Sequence, residues 1–419
     1  MLATGLETLA MSMAKTPIRD QMKVNKVTAD LEEYPMEELA RIRKELVAKG
    51  KAVFDFGTGD PKIPTWEPIR AACSDALLPL SQYPSVKGID ALKKAQEGYL
   101  ERRFAIEPGS YDIIPSSGSK EAIFHTALCL IGRSGGKKNL VYPDPGYPIY
   151  RSSAKFAGGV PYPVKLVPDN RFLLEPWNLP PYIQRDCAAI WLNYPHNPTG
   201  AIATRAYWEQ VVDWCHKTDT VLLSDDCYID IYDAAIDLQP LGEGGAPDHR
   251  PMCPLQLSND RVLTFMSLSK RSGMTGYRAG FIAGDQDIVK ALLKARANFG
   301  VGQPEFVQKA AVVAWGDDEH VRERRQIFTQ RIRTVAPFFQ KLGMLDEAPK
   351  AAFYLWVKIP RAFGTSDVQF ALGLAERGVI CSPSSWLSES IRGYARFALV
   401  PDIEPTLAAL EIIRDYISN

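Results

Sequence analysis

The stretch "AAIWLNYPHNPTGAIATRAYWEQVVDWCHKTDTVLLSDD", residues 188–226, decides the fold of this chain. It begins with an apolar run at 188–195, continues with apolar residues at helical spacing over 205–217, and ends with a second apolar run at 220–226. Short apolar runs without polar alternation are typical of strands that are buried on both faces. The order strand, helix, strand therefore predicts two parallel strands joined by a right-handed crossover.

The same alternation extends to both sides of this unit. Further β-rich apolar runs lie at 139–143, 262–269 and 279–285, and further helical spacing at 119–132 and 285–299. These runs predict the α/β class, with a mainly parallel sheet sandwiched by helices.

Two domains are expected, because the pattern of apolar runs changes near residue 300. We expect a large α/β domain over 65–300, followed by longer helical and β-rich runs typical of a smaller α+β domain. Residues 1–64 and 301–419 are assigned to that small domain. They include an N-terminal arm and an amphipathic helix within 30–50.

Composition sets limits on the class of protein. The 419 residues are 46% apolar and 23% charged, and 49 basic residues balance 49 acidic ones. This balance is typical of a soluble globular protein and gives no indication of nucleic acid or an anionic membrane as a partner. The sequence contains neither a membrane-length apolar run nor the apolar core of a signal peptide, so a cytoplasmic protein is expected.

Metal and nucleotide chemistry find little support in the sequence. The seven cysteines include no Cys-x-x-Cys pair and the five histidines no His-x-x-x-His, so no metal site is predicted. "GTGDPK" at 57–62 lacks the third glycine of a dinucleotide fingerprint. "GRSGGKKN" at 132–139 lacks the hydroxyl residue that follows the P-loop lysine, and both segments are interpreted as turns.

Four polar side chains follow the carboxyl ends of predicted strands. Asn197 follows the run at 188–195, and Lys270 follows the run at 262–269. Asp225 lies at the end of the run at 220–226, and Tyr228 comes three residues later. Ligands of open α/β sheets bind at this edge. Each residue alone is consistent with a turn, a helix cap or a surface charge, but all four at one edge favour a binding site.

An amine close to a carboxylate is what pyridoxal 5′-phosphate requires. The amine of Lys270 can form a Schiff base with the cofactor aldehyde. The carboxylate of Asp225 can keep the pyridine nitrogen protonated, so that the ring accepts electrons from the substrate. The phenol of Tyr228 and the amide of Asn197 can donate hydrogen bonds to the phenolic oxygen of the ring.

A phosphate-binding cradle is expected beside these residues. Gly118, Ser119 and Lys120 open a predicted helix, and backbone amides at a helix N-terminus favour an anion. Ser267 and Arg278 would complete the cradle, the arginine as a bidentate partner of the phosphate. An ordinary helix cap is the alternative interpretation of Gly118, Ser119 and Lys120.

In combination, these motifs resemble the fold-type I, pyridoxal phosphate-dependent aminotransferases of class I and II. The 28-residue step from Asn197 to Asp225 fits this resemblance, which covers roughly residues 50–419. The motifs that carry it are Asn197-Pro198-x-Gly200, Asp225-x-x-Tyr228, and Ser267-x-Ser269-Lys270 with Arg278.

The resemblance implies a homodimer that shares its active sites between subunits. It implies that Tyr83 reaches the phosphate of the other subunit and that Tyr147 stacks on the cofactor ring. It also implies that Arg396 pairs with the substrate α-carboxylate, with Asn197 and the backbone of Gly57 beside it.

The same resemblance implies transamination with glutamate as amino donor. Lys270, Asp225 and Tyr228 are the expected catalytic residues, and Ser269 joins the cofactor-binding set. One departure from the family is Ser384, which stands where a glycine is usual, and we expect the serine to reduce backbone freedom there.

The amino acceptor is suggested by less generic stretches. "GDPKIPT", "SDDCY", "SLSKRS" and "KAAFYLW" resemble the N-succinyl-diaminopimelate aminotransferases of bacterial lysine biosynthesis. That resemblance implies N-succinyl-2-amino-6-oxopimelate as keto substrate, and Lys62 or Arg271 as the second cation a polycarboxylate needs. Alternatives are an aminotransferase for LL-diaminopimelate or another amino acid, a carbon–sulfur β-lyase, and a solvated loop position for Lys62.

Overall fold

The computed structural model describes residues 24–31, 35–80, 82–132, 136–238 and 250–418, without the side chains of 35–39. The chain divides into two units, Met1–Tyr34 and Pro35–Asn419. In the first unit, helix α1 (Lys26–Ala29) is capped by the Asn25 side chain, which accepts a hydrogen bond from the Val27 amide. The expected N-terminal arm lies mostly outside the described residues.

The second unit contains strands from residue 54 to residue 398. In chain order they are β1 (Phe54–Asp55), β2 (Asp112–Ser116), β3 (Asn139–Asp144), β4 (Val160–Lys165), β5 (Cys187–Leu192), β6 (Val221–Asp225), β7 (Val262–Ser267), β8 (Gly280–Gly284), β9 (Tyr354–Lys358), β10 (Val379–Ile380), β11 (Ser382–Pro383) and β12 (Tyr394–Ala398).

Helices separate most of these strands. They are α2 (Pro35–Ala48), α3 (Glu67–Asp75), α4 (Asp90–Phe104), α5 (Ser119–Leu130), α6 (Pro148–Ala157), α7 (Pro181–Arg185), α8 (Arg205–Thr218), α9 (Leu268–Arg271), α10 (Gln286–Arg296), α11 (Glu305–Gly316), α12 (Glu319–Lys341), α13 (Asp367–Glu376) and α14 (Ile403–Ser418). None of these helices, as far as the structure describes them, is long and apolar enough to cross a membrane.

A seven-stranded sheet forms the framework of the unit, in the order β2-β8-β7-β6-β5-β3-β4. Strand β8 is antiparallel to both of its neighbours, whereas β7, β6, β5, β3 and β4 run parallel. The prediction of a mainly parallel α/β sheet is therefore confirmed. Strands β3, β5, β6, β7 and β8 are buried along their whole described length, or all but one residue of it, which explains their nearly continuous apolar runs.

A smaller antiparallel sheet is built from the later part of the chain, in the order β11-β12-β9. Helices α12, α13 and α14 cover it, with Phe339, Phe370 and Ile413 in one apolar cluster together with Leu355 and Phe397. Strand β1 pairs in parallel with β10 and so joins an early segment to this region. The domain boundaries proposed from the sequence stay a prediction.

Candidate active site

Three adjacent strands deliver three of the predicted residues to one edge of the large sheet. Asn197 follows β5, Asp225 ends β6, and Lys270 follows β7 in the short helix α9. Because the strands are parallel neighbours, their carboxyl ends meet at the same edge. The sheet order therefore explains why residues 73 positions apart in the sequence are candidates for one site.

Asp225 is a buried carboxylate with one unsatisfied oxygen. The residue is 3% exposed, and Tyr150 Oη donates a hydrogen bond to its Oδ2 at 2.7 Å. Within the part of the chain that the structure describes, Oδ1 has no hydrogen-bond partner. Burial raises the pKa of Asp225, and the hydrogen bond from Tyr150 opposes that rise. The free oxygen is suited to a cationic N–H donor.

Lys270 carries an amine with altered acidity. Its Nζ donates a hydrogen bond to the Gly59 carbonyl and lies 5.9 Å from the centre of the Phe353 ring. Burial lowers the pKa of Lys270 to about 8, and the charges of Arg396 and Arg278 add to the lowering. The amine therefore becomes neutral, and thus nucleophilic, closer to physiological pH than an ordinary lysine does.

The expected phosphate cradle brings Gly118 and Arg278 into contact. Gly118 precedes α5 with a φ of 83°, and a Cβ added to it would lie 2.4 Å from Arg278 Nη2. Arg278 is exposed, and its Nη1 donates a hydrogen bond to the Thr275 carbonyl at 3.0 Å. The guanidinium therefore packs directly on the glycine at the positive end of a helix, which is a suitable position for an anion.

The other expected cradle residues lie around this contact. Ser119 is half-buried and Lys120 is exposed, both in the first turn of α5. Ser267 Oγ accepts a hydrogen bond from the Ser269 amide at 3.2 Å and so caps α9. Ser267 and Ser116, at the ends of β7 and β2, both pair with Gly280 of the strand between them. The openings of α5 and α9 are therefore about 10 Å apart, two strand spacings.

Arg396 of β12 is a buried cation without an acidic partner. It is 4% exposed, and its guanidinium donates to the Gly57 carbonyl at 2.6 Å and to Asn197 Oδ1 at 3.1 Å. Its Cζ lies 4.7 Å from the centre of the Tyr354 ring. The described residues provide no carboxylate for it, and Nε has no hydrogen-bond partner among them. These features fit a substrate carboxylate.

Residues that the sequence interpretation missed hold this site together. Tyr228 Oη lies 2.8 Å from Tyr354 Oη, and burial raises the pKa of Tyr228 well above its usual range. Asn193 Nδ2 donates to the Asp225 carbonyl at 2.6 Å, while Asn193 Oδ1 accepts from the Asn197 amide at 3.0 Å. Asn193 therefore ties the end of β5 to the end of β6. Asn193 lies within the stretch 188–226, but nothing in its residue type or spacing singled it out.

The sequence also singled out a different tyrosine from the one that contacts Asp225. Tyr147 is half-buried at the start of α6, with its ring centre 5.8 Å from that of Tyr150. The sequence singled out Tyr147, whereas the hydrogen bond to Asp225 comes from Tyr150, one helical turn later.

Three other expected residues lie elsewhere. Tyr83 is fully exposed in the single chain. The Lys62 side chain is half-exposed, with Nζ 3.8 Å from Asp60 Oδ2. Arg271 is buried, with Nε 2.9 Å from Asp230 Oδ2 and Nη1 2.7 Å from the Ala314 carbonyl. Arg271 is thus a core ion-pair residue, which corrects its proposed role as a second substrate cation.

Ser384 imposes no backbone cost. It begins a 3₁₀ turn, Ser384–Trp386, and does not adopt a positive φ. Its hydroxyl donates to Asp367, whose Oδ2 also accepts from the Ser385 amide at 2.7 Å. The expected loss of backbone freedom is corrected, because the turn uses an ordinary conformation and the serine anchors it to α13.

The arrangement fits pyridoxal phosphate. The unpaired Asp225 Oδ1 is suited to a protonated pyridine nitrogen, and Lys270 provides an amine with a pKa of about 8 for the aldehyde. The Gly118–Arg278 contact leaves no space for a Cβ where the phosphate is expected. The individual roles of these residues stay predictions.

Comparison with known proteins agrees with this geometry. The family model "Aminotransferase class I and II" matches residues 51–404. An LL-diaminopimelate aminotransferase of Aquifex aeolicus is 33% identical over 402 residues, covering 94% of this chain and 98% of the relative. A protein of the same name from Gloeobacter violaceus is 35% identical over 382 residues, covering 88% and 92%.

Solved structures are similar over nearly the whole chain. An aminotransferase of Neisseria meningitidis has a TM-score of 0.80 and 28% identity, covering 94% of this chain and 99% of that one. A probable N-succinyldiaminopimelate aminotransferase of Thermus thermophilus has a TM-score of 0.79 and 26% identity, covering 91% and 99%.

Proposed function

The chain belongs to the aminotransferase class I and II family, and from this premise we propose that it transaminates LL-diaminopimelate, with 2-oxoglutarate as amino acceptor. The family uses pyridoxal 5′-phosphate, and the chain is a pyridoxal phosphate-dependent aminotransferase. The substrate proposal is supported by the relatives from Aquifex aeolicus and Gloeobacter violaceus, which are named for LL-diaminopimelate.

The observation that carries the reaction type is a pair of charges without a partner in the same region as an amine. Asp225 has a free carboxylate oxygen and ends the strand next to the one that Lys270 follows. Arg396 has no acidic partner among the described residues, and its charge helps to lower the pKa of Lys270. Removing two charges from water without a partner is costly, so such groups are maintained when a ligand pairs with them.

Lys270 is proposed as the group that moves protons. When bound, pyridoxal phosphate supplies an aldehyde that carries the amino group and a ring that accepts electrons from the substrate α-carbon. The amine of Lys270 would hold the cofactor until an amino substrate displaces it, and the freed amine would then take the α-carbon proton as general base. It would deliver that proton to the cofactor carbon that keeps the amino nitrogen, and not back to the α-carbon, so that water can release the keto acid.

The other residues orient the substrate and stabilise charge. The Asp225 carboxylate stabilises positive charge on the ring nitrogen and so favours electron flow away from the α-carbon. Arg396 binds the α-carboxylate and fixes the α-carbon near Lys270. Tyr228 and Asn197 donate hydrogen bonds to the ring oxygen. Gly118, Ser119, Lys120, Ser267, Ser269 and Arg278 are proposed as the phosphate and cofactor ligands.

N-succinyl-2-amino-6-oxopimelate with glutamate is a second candidate substrate pair. Four short stretches resemble enzymes that use it, and the similar Thermus thermophilus structure is named as a probable enzyme of that kind. A carbon–sulfur β-lyase is a third candidate, because it would use nearly the same cofactor residues.

A half-reaction screen tests the proposed function. The purified holoenzyme is mixed with single amino acids, and conversion of the cofactor to its aminated form is followed by absorbance. We expect LL-diaminopimelate and glutamate to convert it, and Lys270→Ala to abolish turnover with both. Conversion by N-succinyl-LL-diaminopimelate but not by LL-diaminopimelate would favour the second candidate. Pyruvate and ammonia released from cysteine conjugates would favour the lyase.

A further inference from the structure

A cavity of about 230 Å³ lies beside the small sheet, outside the residues assigned above. Its wall combines aromatic side chains, Phe172, Trp356 and Tyr394, with two cations, Lys165 and Arg392. The rings of Trp356 and Tyr394 stack at 5.2 Å with an angle of 4° between their planes. The cavity therefore has an apolar, flat wall with positive charge at its edge.

The two cations of this cavity are not neutralised. None of the described residues that line it is acidic, and neither Lys165 nor Arg392 forms an ion pair with any residue that the structure describes. Arg392 Nη1 donates only to backbone carbonyls, those of Ser388 at 3.1 Å and Ile391 at 2.8 Å. Both side chains are exposed, so they are available to an anion.

The neighbouring carboxylates have other partners. Asp144 accepts hydrogen bonds from the amides of Glu389 and Ser390, at 3.0 and 2.9 Å. Glu389 accepts from Tyr142 Oη at 2.8 Å and lies 3.4 Å from Arg151 Nε. The cavity therefore retains a net positive charge, which attracts a carboxylate.

The cavity lies on the same face of the sheet as Arg396. Trp356 is the cross-strand partner of Arg396, and side chains directly opposite in an antiparallel pair share a face. Tyr394 is two residues before Arg396 on β12, so it shares that face as well, about 7 Å away along the strand. A carboxylate at Arg396 and another at the cavity would thus be on the order of 7 Å apart or slightly more.

We propose that the cavity binds the far carboxylate of a long amino dicarboxylic acid whose α-carboxylate pairs with Arg396, with Arg392 and Lys165 as its cations. Six bonds separate the terminal carboxyl carbons of a seven-carbon dicarboxylate, which corresponds to about 7 Å at roughly 1.2 Å per bond. The stacked Trp356 and Tyr394 rings provide the apolar surface for the intervening methylene groups. This inference rests on the proposed function and adds the substrate-length selectivity of that site.

Lys62 is the rival for this role. Its amine is 3.8 Å from the Asp60 carboxylate, so part of its charge is already compensated. Arg392 and Lys165 lack such compensation, and Arg392 can bind a carboxylate through two parallel hydrogen bonds. If Arg392 and Lys165 bind the far carboxylate, replacing them should weaken pimelate binding and replacing Lys62 should not. If Lys62 binds it, the reverse is expected.

The experiment compares binding of unreactive probes to the holoenzyme by calorimetry. Pimelate is a seven-carbon chain with a carboxylate at each end, and heptanoate has the same length with one carboxylate. We expect the double variant Arg392→Met, Lys165→Met to weaken pimelate binding roughly tenfold or more, as for the loss of a charged hydrogen bond, and to leave heptanoate unchanged. Arg392→Lys should weaken pimelate binding less than Arg392→Met does. Arg361→Met, at an exposed arginine that does not line the cavity, should have no effect.

Turnover gives a second readout. The double variant should raise the KM for LL-diaminopimelate while kcat changes little, since the lost contact is present in both ground and transition states. Equal loss for pimelate and heptanoate, no loss for either, or the same selective loss in Lys62→Met alone would overturn the proposal. If the wild type transaminates no amino acid, the proposed function fails, whereas selective pimelate binding through Arg392 would still support the cavity assignment.

Discussion

Lys270 shows how a side chain of ordinary type acquires unusual chemistry from its surroundings. Serines, glycines and a nearby arginine in the sequence around it are equally compatible with an exposed lysine. In the folded chain its amine is held against the Gly59 carbonyl, and burial lowers its pKa to about 8. No local sequence signal reports this environment, because the carbonyl that accepts from the amine is 211 residues away in the sequence.

The lowered pKa predicts a specific pH dependence for cofactor loading. Only the neutral amine attacks an aldehyde, so the rate at which the apoprotein binds pyridoxal phosphate should rise with pH with a midpoint near 8. For an ordinary lysine the midpoint would lie near 10.4. Stopped-flow absorbance across pH 6 to 11 measures this rate. Nα-acetyl-lysine amide is the control for titration of the cofactor itself. A midpoint above about 10 for the protein would contradict the burial argument.

Single residues were predictable where chemistry and position coincide. Asn197, Asp225 and Lys270 follow strands that a hydrophobic pattern reveals, and their types fit one cofactor. Tyr354 and Asn193 were not predictable, because their hydrogen bonds to Tyr228, Asp225 and Asn197 depend on how strands from distant segments pack. Arg271 was wrongly assigned to substrate binding because it follows Lys270 in the sequence. In the structure its guanidinium forms a buried ion pair with Asp230.

At the scale of elements, buried strands were easier to find than edge strands. Strand β4 reads Val-Pro-Tyr-Pro-Val-Lys, and its two prolines are tolerated because it lies at the edge of the sheet. Strand β2 carries Pro115 and lies at the opposite edge. Neither was predicted, since proline within a run is evidence against a strand. The antiparallel direction of β8 also left no trace in the sequence, because it is as apolar as its parallel neighbours.

The start of α5 provides an element-scale prediction. Gly118 has a φ of 83° and lies against Arg278, whereas Gly158, at the end of α6, has a φ of 80° and nothing within 4 Å of an added Cβ. Alanine at Gly158, whose ψ of 17° makes its backbone left-handed, should destabilise the fold by about 1–2 kcal/mol. Alanine at Gly118 should cost more, because its ψ of 164° lies in a region that only glycine adopts readily. Gly118→Ala alone should also weaken pyridoxal phosphate binding, because its Cβ displaces the Arg278 guanidinium.

The comparison needs two measurements on each variant. Urea unfolding of the apoprotein gives the stability change, and fluorescence titration with pyridoxal phosphate gives the affinity change. A loss of affinity in Gly118→Ala and none in Gly158→Ala, with both variants folded under the titration conditions, supports the cradle. Equal affinities in both variants would separate the phosphate site from this helix.

At the scale of the whole molecule, one exposed segment is unusually apolar. Leu77, Leu78 and Leu80 are 62%, 70% and 71% exposed, and Tyr83 is fully exposed beside them. Exposed leucines are common singly, but several within one short segment indicate a surface that another molecule covers. The family resemblance implies that this molecule is a second copy of the chain, whose phosphate site would receive Tyr83.

A mixed dimer tests this arrangement. Two inactive proteins, Lys270→Ala and Tyr83→Ala, are co-expressed with different tags, and the heterodimer is purified through both. If Tyr83 acts on the partner subunit, one of the two sites contains both Lys270 and Tyr83. We then expect activity close to that of a heterodimer of wild type and Lys270→Ala, which also has one intact site. If Tyr83 acts on its own subunit, neither site is complete, and the heterodimer should be as inactive as its parents. Sedimentation must show a mass near twice 46.6 kDa for the comparison to apply, and a monomeric wild type would contradict the shared site at once.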